Sequence, residues 1–179
     1  MIDGIEVYVQ RPSSLQVQPH TYSTYKSGNA VKALVGVDAN GALMYVSQLY
    51  QGYISDKQLI RRSGFLEVLK YKIEISEIRY GDAIMADKGF NIDDELDELG
   101  IKLNQPPYRE RQVQFSAEDV MRTRDIAVHR IHVERAIGKV KTFRIFHGKL
   151  PISLMGSINQ IWTVCCLLTN FMPPLLKPG

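Results

Sequence analysis

The stretch VKALVGVDANGALMYVSQLY, residues 31–50, places two extended apolar runs on either side of Asn40-Gly41. Tight hairpin turns need positive φ at their central residues, and Asn-Gly supplies it at the lowest steric cost. The stretch therefore reads as an antiparallel hairpin. Upstream, in MIDGIEVYVQ, Ile5, Val7 and Val9 alternate with Glu6, Tyr8 and Gln10, the period of a half-buried strand. Three antiparallel strands in a row commit the first third of the chain to a sheet.

Alternating units follow. Ser55 caps a helix carrying Leu59, Ile60, Leu66 and Leu69. AIMA, 83–86, is a short continuous apolar run, as expected of a central strand buried on both faces. Asn91 opens a second helix with Ile92, Leu96 and Leu99 on one side, and Gly100 stands where it should stop. IKLN, 101–104, reads as a fifth strand and QPPYRERQVQF as an exposed connection. Ser116, with Asp119 three residues on, begins a long helix to about residue 145; Pro151 breaks it, and a last apolar helix covers roughly 154–171. The order β-β-β-α-β-α-β-α-α predicts an α/β fold, a mixed five-stranded sheet flanked by helices. At 179 residues the chain fits one domain, 1–179, without repeat or linker.

Charge divides unevenly. Residues 1–100 hold 10 Lys+Arg against 14 Asp+Glu, while residues 101–179 hold 12 against 5. A basic half beside an acidic half suits a polyanion held against carboxylates. No phosphate-binding loop, dinucleotide turn or nucleophile elbow occurs, so nucleotide-driven and serine-hydrolase chemistries lack support. IWTVCCLLTNF is too short to span a bilayer, and the N-terminus lacks the features of a secretory signal. Cys165 and Cys166, adjacent inside that apolar run, read as buried thiols of a reducing compartment.

Six carboxylates crowd IMADKGFNIDDELDELG, 84–100. Asp93, Asp94, Glu95, Asp97 and Glu98 belong to the wet side or first turn of the second helix, where negative charge complements the helix dipole. Asp87 differs, because it ends the buried run and precedes Gly89, which allows a sharp turn. The C-terminal ends of sheet strands host ligand chemistry, although an Asp there can equally bond its own backbone. Asp3 shares parity with Ile5, Val7 and Val9, and a carboxylate on that face is costly unless paired or metal-bound; a frayed chain end would instead leave it in water. Glu134 borders the apolar stripe of the long helix between Ile131 and Ile137, with Gly138 one turn on leaving open space. Around it stand Arg122, Arg124, Arg130, Arg135, Lys139, Lys141 and Arg144, either a phosphate-binding footprint or the solvated arginines of an ordinary amphipathic helix. His129 and His132 lack a third nitrogen or sulfur ligand, so zinc is not indicated.

Taken together, IDGIEVYVQRPSS, YSTYKSGNAVKALVGVDANGAL, GYISDKQL, MADKGFNI, RIHVERAIGKVKTFRI and VCCLLTN resemble the DDE superfamily endonuclease domain of Harbinger-type, THAP-associated transposases. The resemblance runs in order along nearly the whole chain. It implies a ribonuclease H-like fold and a triad of Asp3, Asp87 and Glu134, 84 and 47 residues apart, with Asp56 as an accessory position. It further implies two divalent cations, Mg²⁺ or Mn²⁺, held by those carboxylates. The partner it implies is DNA, its phosphates met by Arg130, Arg135, Lys139 and Lys141, with a homo-oligomer left open and the nucleus or cytoplasm as setting. The resemblance also implies an N-terminal helical or DNA-binding region ahead of Asp3, and the expectation is that this region is missing here. A domesticated, non-catalytic DNA- or protein-binding derivative and a related two-metal enzyme acting on RNA are the alternatives.

Overall fold

A computed structural model describes residues 1–16, 18–23, 27–87, 89–106 and 130–173. The expected Ser116 cap, most of the exposed connection, and Arg122, Arg124 and His129 lie outside those residues.

Strand β1 (Ile2–Tyr8) pairs antiparallel with β3 (Gly28–Val37), setting Asp3 opposite Val35 and Ile5 opposite Ala33. A four-residue helix, α1 (Gln18–Thr21), leads into β2 (Tyr22–Ser23). Strands β2, β4 (Leu43–Val46) and β5 (Tyr50–Gln51) also pair antiparallel with β3, completing a five-stranded sheet. The hairpin forms as the sequence predicts. Its loop is wider than two residues because the Asp38 carboxylate accepts from the N–H groups of Asn40 (2.9 Å) and Ala42 (2.8 Å), while Gly41 takes φ 87°.

The five strands are not the five expected from sequence. Strand β6 (Ala83–Met85) pairs in parallel with β7 (Lys102–Asn104), and the two form a ladder of their own. Nor is β6 buried on both faces: Ala83 is exposed, Ile84 and Met85 half-buried, and only Ala86 beyond it is fully enclosed. A three-residue strand with one neighbour has too little cover for two buried faces.

The helices carry similar adjustments. Ser55 caps α2 (Asp56–Ser63) through a reciprocal capping box with Gln58. Gly64, at φ 80°, then splits the expected single helix, and α3 (Phe65–Glu74) follows. Helix α4 (Asp93–Asp97) begins after Ile92 rather than Asn91, and Gly100 at φ 68° lies just past its end. The described part of α5 covers 130–141, stopping four residues early at a 3₁₀ turn, Arg144–Phe146. After Pro151 a second such turn precedes α6 (Ile158–Thr169).

Period-two alternation sends β1 and β3 side chains to two cores. On one face Ile5, Val7, Val9 and Val35 pack with Val133, Ala136 and Val140 of α5 and with Trp162 and Cys166 of α6. On the other, Ile2 and Leu34 pack with Leu59, Ile60, Phe65 and Leu69 of α2 and α3 and with Phe90 and Leu96. Both cysteines are free buried thiols, and burial pushes the Cys166 thiol up. Among the described residues no helix is long and apolar enough to cross a membrane.

Candidate active site

A cleft of about 490 Å³ beside β1 is lined by Asp3, Asp56, Asp87 and Glu134 together with Lys32, Arg130 and Lys141. Counting Glu6, which lines the cleft beside Asp3 on β1, five carboxylates arrive from four separate segments.

Asp3 is not frayed. The Met1 amino group donates to the Val37 carbonyl (2.7 Å), and the Val37 N–H donates back to the Met1 carbonyl (2.7 Å). The Asp3 Oδ1 accepts the Gly4 N–H at 2.8 Å, and Asp3 makes no ion pair among the described residues. Loss of water raises its carboxyl to about 6; the Gly4 N–H and Arg130 pull it down, and Asp87 and Asp56 push it further up. Both of those acids line the same cleft as Asp3.

Asp87 lies two residues past β6 in a turn fixed by its backbone. Its carbonyl accepts the Phe90 N–H (3.1 Å), and the Gln105 side-chain amide donates to the carbonyls of Asp87 (2.8 Å) and Phe90 (2.6 Å). Gln105 carried no recognisable signal in the sequence. The Asp87 Oδ2 stands 3.2 Å from Arg130 Nη2.

Glu134 sits on the flank of α5, exposed, next to a buried stripe of Val133, Ala136 and Val140. Ile131, expected on that stripe, is 42% exposed, because two residues along a helix turn the side chain about 200° away from Val133. The Arg130 Nε donates to Glu134 Oε1 at 3.2 Å, one turn apart. A Cβ added to Gly138 would meet nothing within 4 Å, the open space anticipated there.

Asp56, the first residue of α2, pairs with Lys32 Nζ at 2.5 Å. A Cβ on Gly89 would stand 2.5 Å from its Oδ2, and one on Gly4 would stand 3.3 Å from its Oδ1. The absence of a Cβ at Gly89 thus lets the Asp56 carboxylate come close, and a larger residue there would have to push the end of that side chain aside. Lys32 escaped the sequence reading; its only signal was a lone cation inside an apolar strand.

Of the basic residues expected at DNA, Arg130 and Lys141 line the cleft. Arg135 is exposed outside it, and Lys139 Nζ donates to the Pro173 carbonyl at 2.6 Å. Among the helix acids, Asp93, Asp94, Asp97 and Glu98 are exposed, but Glu95 is not the solvated group expected. Its Oε1 accepts from Arg61 Nη2 at 2.6 Å and lies 3.6 Å from Lys57 Nζ, tying α4 to α2.

Carboxylate oxygens are the hard donors that Mg²⁺ and Mn²⁺ take, so the cleft's donor set fits those ions in kind. In spacing it is not closed, since among the described residues no group of three or more His, Cys, Asp or Glu side chains is arranged to hold a metal. Between Asp87 and Glu134 the positive charge is the Arg130 guanidinium.

An α/β scaffold gathering acids from distant segments under basic side chains suits a protein that sets a polyanion against carboxylates. A family model described as DDE superfamily endonuclease matches residues 2–170, and the chain belongs to that family. No match was found among curated proteins or among solved structures.

Proposed function

We propose that residues 1–179 form the catalytic domain of a transposase-type DNA endonuclease, ribonuclease H-like and of the Harbinger type, with Asp3, Asp87 and Glu134 as its triad. Family membership supports nuclease chemistry on DNA. The observation that carries the residue assignment is the convergence of acids 3, 87 and 134 on one cleft. They would hold Mg²⁺ or Mn²⁺, one or two ions, which supply activation of the attacking oxygen and stabilisation of the leaving oxygen.

The chain's own residues do the rest. Burial makes the Asp3 carboxylate costly without a counter-cation. Lys32 fixes Asp56 at the cleft wall as an accessory acid. Arg130 and Lys141 offer cations to a phosphodiester entering the cleft, and exposed Arg135 extends that positive surface along α5. Lys139 would reach a phosphate after leaving Pro173.

Cleavage of a labelled duplex in Mg²⁺ or Mn²⁺ tests this: wild type cuts, and Asp3→Ala, Asp87→Ala and Glu134→Ala each abolish cutting. Retained cutting removes that residue from the triad. Offering RNA–DNA hybrid alongside the duplex separates DNA from RNA chemistry. The ion-paired spacing of the acids favours one rival, a non-catalytic DNA-binding derivative, whose outcome is duplex binding without cleavage at any Mn²⁺ concentration.

A further inference from the structure

Arg130 makes two ion pairs that compete with the chemistry assigned to its partners. Its guanidinium reaches Asp87 Oδ2 through Nη2 and Glu134 Oε1 through Nε, each at 3.2 Å. The acids it joins are 47 residues apart in sequence and come from a turn and a helix. A planar guanidinium with several N–H donors is suited to bridging two carboxylates in this way. A divalent cation held by these two carboxylates would compete with the guanidinium for their negative charge, and like charges repel at such range.

We propose that Arg130 is a positioning residue that acts as a built-in counter-ion: it bridges Asp87 and Glu134 in the cation-free protein, and must withdraw before a divalent cation is held there. This rests on the triad reading above. Side-chain exposures of 40% for Arg130, 39% for Asp87 and 59% for Glu134 keep the bridge weak enough to open. A phosphate in the cleft offers the withdrawn guanidinium an alternative partner. DNA and metal then favour each other's binding, because a phosphate that engages Arg130 draws this guanidinium off the two carboxylates, and this coupling is reciprocal.

The test is Mn²⁺ affinity of the folded, DNA-free protein, followed by the electron spin resonance signal of free Mn²⁺. Arg130→Gln is expected to bind Mn²⁺ about three- to tenfold more tightly than wild type, the range two half-exposed ion pairs allow. Arg130→Lys, keeping one charge but losing the fork, should fall between. Damage to the fold would weaken binding, so tightening is a direction a merely structural role does not give. Arg144→Gln removes an equal charge from outside the cleft lining and should shift affinity less than twofold. Wild-type binding that neither variant of Arg130 tightens overturns this proposal and leaves the triad standing. Equal tightening by Arg144→Gln also overturns it, assigning the effect to overall charge. Absence of Mn²⁺ binding in wild type and all variants overturns the triad reading, and this proposal with it.

Discussion

Asp3 carries the sharpest consequence of any single side chain. Its carboxyl is raised from an ordinary 3.8 to about 6 by burial, so the folded protein keeps this proton to higher pH than the unfolded chain does. The stability this contributes is full below about pH 4 and is lost as pH rises through about 6. In metal-free buffer, Asp3→Asn should therefore gain on wild type by roughly 2 kcal/mol between pH 4 and pH 7, read from urea unfolding. Parallel pH profiles for the two proteins would contradict this. Gly89 offers a second residue-scale test. A Cβ there collides with the end of the Asp56 side chain and not with backbone, so Gly89→Ala should cost under about 1 kcal/mol in unfolding while displacing Asp56 from Lys32. A large loss would mean that the glycine serves the turn itself.

Between elements, side-chain clamps and close backbone approaches set the geometry. The Glu95 pairs with Arg61 and Lys57 join α4 to α2, and Glu95 keeps only 14% of its side chain exposed. A double-mutant cycle of Glu95→Gln and Arg61→Gln should return a coupling of about 1 kcal/mol; additive losses would show the pair contributes nothing. Gly52 makes the contrast with Gly89, because its added Cβ would stand 2.5 Å from the Ala30 carbonyl oxygen and 3.2 Å from that of Thr21. Backbone must then move, and Gly52→Ala should cost about 2 kcal/mol or more in chemical denaturation. A loss as small as that of Gly89→Ala would contradict the close packing of β5 on β3.

At the scale of the molecule, one pair of strands separates two cores, and that architecture decided which features the sequence could disclose. Local rules worked where one signal dominated: the alternation in β1, the cap at Ser55, the stop at Gly100 and the adjacent buried cysteines. They failed where a distant partner decides. Burial on both faces of 83–86 depends on cover that β6 does not have, and Glu95 looked solvated because Arg61 is 34 residues away. Asp3, Asp87 and Glu134 could each be singled out as odd for local reasons, but only the fold shows that they share a cleft. Lys32 and the Gln105 amide that pins the Asp87 turn were invisible until then.

The central claim is that these three acids together hold a divalent cation. Crystals soaked in Mn²⁺ test it most directly through the anomalous signal of the metal. The expected result is a peak bounded by the carboxylates of Asp3, Asp87 and Glu134, with Arg130 turned away from the two acids it now bridges. A well-ordered cleft with no peak among those carboxylates would contradict it.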